Sequence, residues 1–201
     1  MADWDENSPQ LRRNLAQVLD SIQENARCRT LPTIEDIRGW HTNVMQGLDV
    51  PDQNFVGRFR GEERVENINV RVGRHFGVDA GQVASELTRF EQTLQRAVQR
   101  LDQLLPQGIK LNIDATLAIL ELCAWAHAEW VRIHPLANGN GRIARLLANS
   151  LAMRYELPPF VRLRPRPDGE YGSACEQAMM GDWEPTVRAF HRMLKRFFTD
   201  T

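Results

Sequence analysis

Residues 134 to 145 read His-Pro-Leu-Ala-Asn-Gly-Asn-Gly-Arg-Ile-Ala-Arg, which puts an imidazole, two glycines and two guanidinium groups into one short stretch. Gly139, Asn140 and Gly141 let the backbone come close to an anion, since side chains there are small or absent. A helix that starts at this point leaves its first N–H groups without intrahelical partners. These groups face, with the positive end of the helix dipole, whatever lies ahead of the helix, and phosphate oxygens suit that place. Arg142 and Arg145 are three apart and share one side of such a helix, where two guanidinium forks match a di- or triphosphate. His134, its backbone restrained by Pro135, changes charge near neutral pH and is suited to act as a general base beside a bound phosphoryl group. Taken singly, each feature has an ordinary structural explanation: Asn138-Gly139 as a turn, a lone histidine in a core, an arginine pair on a solvated face. The joint spacing carries the argument.

Something must deliver the chain to His134 and take it away after Gly141. Residues 114–132 are apolar almost all round, through Leu117, Ile119, Leu120, Leu122, Cys123, Trp125 and Trp130, which predicts a helix buried at the centre. The next helix spans 141–155 through Ile143, Leu146, Leu147, Leu151 and Met153, and Pro158 and Pro159 stop it. Helical spacing predicts further helices at 9–24 (Leu11, Leu15, Val18, Leu19, Ile22), 33–48 (Ile37, Trp40, Val44, Leu48), 82–105, 169–180 and 183–198. Thr33 followed by Glu35 and Asp36 marks a helix start. Residues 49–81 are rich in turn formers around one short β-like run, Val65 to Val72, closed by Gly73. The predicted fold is all-α, a helical bundle around a central buried helix with one short β-hairpin. His75, His127 and His191 show no metal-ligand spacing and are read as packing residues.

With 42% hydrophobic and 25% charged residues and a net charge of -1, the 201-residue chain reads as one soluble globular unit without the footprint of a nucleic-acid binder. No apolar run reaches the roughly 18 residues of a membrane span. The acidic, polar start of the chain and the unpaired spacing of Cys28, Cys123 and Cys175 predict a reduced, cytoplasmic protein, with delivery into a host cell left open. Residues 1–29 are expected to form an N-terminal helical segment and 30–201 the main domain.

The loop resembles the signature of the Fic family, H-P-F-x-[D/E]-G-N-G-R-x-x-R, and matches seven of its nine fixed positions. The resemblance, which covers roughly residues 30–198, implies a protein adenylyltransferase. His134 would be the base, Gly139, Asn140 and Gly141 an anion hole, Arg142 and Arg145 the phosphate contacts, with ATP as co-substrate and Mg²⁺ bridging its phosphates. AMP would pass to a Ser, Thr or Tyr hydroxyl of a target protein and of the chain itself. Leu136 stands in place of the family's Phe, and Asn138 in place of the Asp or Glu that holds the metal. An Asn oxygen can ligate Mg²⁺ but brings no charge, so metal affinity should fall.

Gly57-Arg58-Phe59-Arg60 and the run after it resemble the segment leading into the family's hairpin flap. That implies target docking by strand addition along Asn69, Val70, Arg71, Val72, Gly73 and Arg74. Asp20 to Asn25 resembles the inhibitory motif [S/T]-x-x-x-E-[G/N], which implies that Glu24 pairs with Arg145 as a brake. The alternatives are a non-catalytic nucleotide-binding or protein-interaction module, and a transferase using UMP, phosphate or phosphocholine donors. A homo-oligomer or an antitoxin partner for a toxin-like chain is compatible with the resemblance.

Overall fold

The computed structural model describes residues 8–167 and 169–199. The acidic stretch at residues 1–7 lies outside them. Helix α1 (Pro9–Arg27) starts where Ser8 Oγ accepts the Gln10 N–H and Pro9 opens the first turn. Its Leu11, Leu15, Val18, Ile22 and Ala26 form one buried stripe. Helix α2 (Ile34–Met45) begins with a complete capping box: Asp36 N–H donates to Thr33 Oγ1 and Thr33 N–H to Asp36 Oδ2. It stops before residue 48 because Gly47 turns the chain at φ 70°.

Helices α3 (Val83–Leu104), α4 (Ile113–Ile133), α5 (Asn140–Arg154), α6 (Glu170–Ala178) and α7 (Glu184–Thr199) complete the helical set among the described residues. Helix α4 packs against α5, α7, α3 and α6, while α1 covers α5 and leans on α2. Trp130 of α4 sits at the middle, with the rings of Phe59 and Phe90 set edge-on at 6.2 and 6.0 Å. The fold is therefore all-α with a two-stranded hairpin, as the periodicity predicts. Burial is distributed differently from the sequence reading, however. Helix α4 keeps an exposed edge, with Ile113 at 79% and Leu117 at 39% exposure. Of the 15 residues of α5, 13 are buried, which makes α5 the more enclosed of the two. Ala144, Ala148 and Ala152 let neighbouring helices close in, and its arginines and asparagines turn inward.

The hairpin is shorter than the β-like run that predicts it. Strands β1 (Arg71–Val72) and β2 (His75–Phe76) pair antiparallel, Val72 opposite His75, around Gly73 at φ 58°. The Val70 carbonyl still accepts the Gly77 N–H, but residues 65–69 do not join the ladder. Val65 and Val70 are buried in the domain, and the Ile68 carbonyl accepts from the Arg60 guanidinium instead of a strand partner. No helix of the described residues is long and apolar enough to cross a membrane.

Candidate functional site

Helix α4 ends at His134, which takes a left-handed conformation (φ 52°, ψ 54°) and so throws the chain out of the helix. Its Nδ1 lies 3.0 Å from the Val131 carbonyl oxygen. A carbonyl can only accept, so Nδ1 carries the proton and Nε2 keeps its lone pair. Burial pushes His134 down to about 4, with the bond to Val131 opposing and the Arg60 charge assisting. The ring is a neutral imidazole at physiological pH, already in the tautomer a general base at Nε2 requires.

The loop from Pro135 to Gly139 is held from three sides. The side chain of Asn140 accepts the Leu136 N–H and donates to the Leu136 carbonyl, at 3.0 and 2.7 Å. Asn140 was expected in the anion hole; its amide closes the loop, and only its backbone N–H faces forward with the start of α5. Leu136 forms an antiparallel bridge with Phe59, and Arg60 N–H donates to the Pro135 carbonyl. From the third side, buried His41 and Met45 pack against Gly139, where an added Cβ would come within 2.7 Å of Met45 Cε. Gly139 also has φ 79°, so both space and backbone call for glycine.

Arg60 is the main brace. It is 2% exposed, and its guanidinium donates to the carbonyls of Ile133, His134, Ile68 and Val78. The first two lie at the negative end of α4 and the other two flank the hairpin, so a single side chain ties the histidine to the flap. The sequence pattern marks the Gly57–Arg60 segment but gives no sign that Arg60 is buried.

Ahead of α5 lies a cavity of about 460 Å³, within the range of small-molecule sites. It brings together His134, Asn138, Gly139, Asn140, Gly141, Arg142 and Arg145, together with Val70, Arg71 and Val72 of the hairpin. Asn69, Gly73 and Arg74 are exposed beyond it. Arg166, Tyr171 and Cys175 also line the cavity and were not found from sequence, because they arrive from a separate stretch with no motif. Arg145 donates to the Tyr171 hydroxyl (3.3 Å) and the Leu163 carbonyl (3.2 Å), and the same hydroxyl lies 2.8 Å from His127 Nε2. His127, read from sequence as packing alone, thus stands behind an arginine of the cavity wall. Burial, then the charges of Arg145 and Arg166, holds it neutral at about 3. Burial raises the Cys175 thiol above its ordinary value, against the opposing charges of Arg166 and Arg145.

The structure gives two of the expected site residues other contacts. Asn138 was expected to hold a metal, but its Oδ1 accepts from Arg142 Nη2 at 2.9 Å, one helical turn ahead. A cation at that oxygen would face a guanidinium. For unit charges about 4 Å apart the repulsion is about 4 kcal/mol at an effective dielectric near 20, and a divalent ion doubles it. Among the described residues, no cluster of three or more His, Cys, Asp or Glu could hold a metal, and the cavity wall carries no carboxylate. These residues do not fit a resident Mg²⁺. Glu24 was expected at Arg145; instead it is an exposed side chain paired with Arg27 at 3.0 Å. It lies midway between Ile22 and Ala26, so the 100° step of the helix turns it away from the stripe that packs on α5.

A profile of the Fic/DOC family matches residues 31–152. Protein adenylyltransferase Fic of Drosophila melanogaster is 32% identical over 156 residues, covering 78% of this chain and 27% of that protein. Protein adenylyltransferase fic-1 of Caenorhabditis elegans is 42% identical over 80 residues, covering 39% of this chain and 16% of that protein. The chain thus spans about a quarter or less of the length of these relatives. Among solved structures, a Fic-domain-containing signaling protein from Bacteroides thetaiotaomicron superposes with a TM-score of 0.67 at 21% identity, over 94% of this chain and 70% of that one. BepC, a VirB-translocated effector protein from Bartonella tribocorum with bound AMPPNP, gives 0.60 at 18%, over 91% and 85%. At these identities the two structures show a common fold.

Proposed function

The chain belongs to the Fic/DOC family, and from that premise we propose that it binds ATP in the cavity ahead of α5 and transfers AMP to a hydroxyl of a target protein. The observation that carries this reading is the pairing of a neutral His134, protonated at Nδ1, with the opening of α5 and the guanidinium groups of Arg142 and Arg145. The relatives named protein adenylyltransferases and the AMPPNP bound to BepC support the same donor class.

In this scheme the triphosphate lies along the first N–H groups of α5, with Arg142 and Arg145 beside it. A Ser, Thr or Tyr hydroxyl approaches from the hairpin, where an extended segment pairs with β1 through backbone bonds and so needs little sequence of its own. The hydroxyl proton passes to His134 Nε2. The hydroxyl oxygen bonds to the α-phosphorus, and the bond from that phosphorus to the bridging oxygen breaks, releasing pyrophosphate. Positioning and charge neutralisation supply most of the rate.

The test incubates the chain, alone and with candidate target proteins, with isotopically labelled ATP, UTP and CDP-choline, and reads label by mass spectrometry. AMP is expected on a Ser, Thr or Tyr side chain with the parent chain and absent with His134→Ala. Absence of label from every donor sinks the transferase reading. A second reading, a nucleotide-binding module without chemistry, is favoured by the engagement of Asn138 with Arg142. It predicts ATP binding with no label.

A further inference from the structure

The charged side chains that line the cavity, among the described residues, are all arginines: Arg71, Arg142, Arg145 and Arg166. Arg145 is only 4% exposed, its two hydrogen-bond partners are neutral oxygens, and its Nε is buried with no partner. A buried guanidinium in that state is costly until an anion reaches it. Arg166 enters from the segment before α6, with its guanidinium carbon 5.7 Å from the centre of the Tyr171 ring; Arg145 lies 5.9 Å from the same ring. One aromatic face system thus holds two cations at the cavity wall. At the loop, the one side chain in the motif's metal-ligand position already accepts a guanidinium N–H.

The geometry points to a nucleotide site that works without a resident divalent cation, with Arg142 and Arg145 of α5, Arg166 and Arg71 taking up the charge of the phosphates directly. The inference rests on the reading of the cavity as a nucleotide site. Four guanidinium groups match the charge of a fully ionised triphosphate, and their planar forks bind phosphate oxygens in pairs, which a metal ion bridging the same oxygens would compete for. A cation on the second lone pair of Asn138 Oδ1 would sit beside the Arg142 guanidinium, which repels it. The arrangement therefore holds the nucleotide without calling for its magnesium complex.

Equilibrium dialysis of the full chain against radiolabelled ATP, in EDTA and in excess Mg²⁺, tests this. The dissociation constant in EDTA is expected to equal that in Mg²⁺ within about threefold, or to be smaller. Weakening in EDTA of about tenfold or more overturns the inference and leaves the nucleotide reading standing, whereas absence of binding in both buffers removes both. Asn138→Asp supplies the missing carboxylate, which pairs with Arg142 and repels phosphate. ATP binding in EDTA should then fall about tenfold and recover with Mg²⁺. If that variant behaves as the parent does in both buffers, residue 138 does not set metal dependence and the inference fails. Arg166→Gln should weaken binding in EDTA about fivefold without moving the thermal midpoint, since Arg166 is exposed; unchanged affinity removes Arg166 from the site.

Discussion

His134 is neutral because the surrounding protein keeps water from most of its half-buried ring, and its proton is on Nδ1 because Val131 offers only a carbonyl. Its base form therefore persists well below the pH at which an ordinary imidazole charges. The rate of transfer is expected to stay within about twofold between pH ~5.5 and ~8 and to fall only as pH drops toward 4. A midpoint near 6.5 in the rate profile would show that the ring titrates as an exposed histidine. Arg60 belongs to the same scale. Replacing it by Met leaves four carbonyls without their donor, and at about 1–3 kcal/mol for each buried group left unpaired, a loss of at least about 3 kcal/mol is expected from chemical denaturation. The motif residues were legible because imidazole, glycines and arginines lie in one contiguous stretch whose spacing alone implies a phosphate cradle. Arg60, Arg166, Tyr171 and the role of His127 were not, since a buried arginine or a tyrosine behind one reads in sequence like any other; only tertiary contact distinguishes them.

At the scale of elements, helices α2 and α3 followed from apolar periodicity, with the Thr33 start signal for α2, because one face of each is covered and the other is not; α4 followed from being apolar almost all round. Helix α5 is legible through its apolar positions, and its polar ones are more enclosed than a motif facing a ligand implies: Asn140, Arg142, Arg145, Asn149 and Arg154 are all buried, with Asn149, for one, bonded to the Val161 backbone. The β-like run at 65–72 was overextended, since alternation cannot reveal that Arg60 takes the Ile68 carbonyl. Helix α1 carries a prediction of its own. With Glu24 on its solvent side and bound only to Arg27, Glu24→Ala should change stability by less than about 0.5 kcal/mol and leave labelling within about twofold, as judged by melting and by the mass assay. A large rise in labelling would place Glu24 near the nucleotide in a second arrangement of α1.

Across the whole molecule, buried His41 and His127 and half-buried His134 share one electrostatic fate. Burial lowers His41 and His134 to about 4 and His127 to about 3. In the unfolded chain each binds a proton near pH 6.5, so between that value and about 4 the unfolded state holds more protons than the folded one. Stability should thus be full above pH ~7 and decline as pH falls through 6.5, by up to roughly 2 kcal/mol per histidine near pH 5. Urea midpoints at the two pH values measure this; equal midpoints would mean that the histidines are hydrated in the native state. The core these residues occupy is common to α1, α2, α4 and α5, so acid weakens the fold and the site together.

The Arg60 guanidinium reaches the Ile133 and His134 carbonyls on one side and the Ile68 and Val78 carbonyls on the other, so one side chain fixes the spacing of hairpin and base. A strand laid along β1 advances about 3.4 Å per residue, with alternate side chains pointing the same way. Under the proposed docking by strand addition, the hairpin acts as a ruler. Shifting a docked segment by one residue turns its hydroxyl to the far side, and shifting it by two carries the hydroxyl about 7 Å past Nε2. Such a site would choose its acceptor by position along the segment, whatever residues flank it.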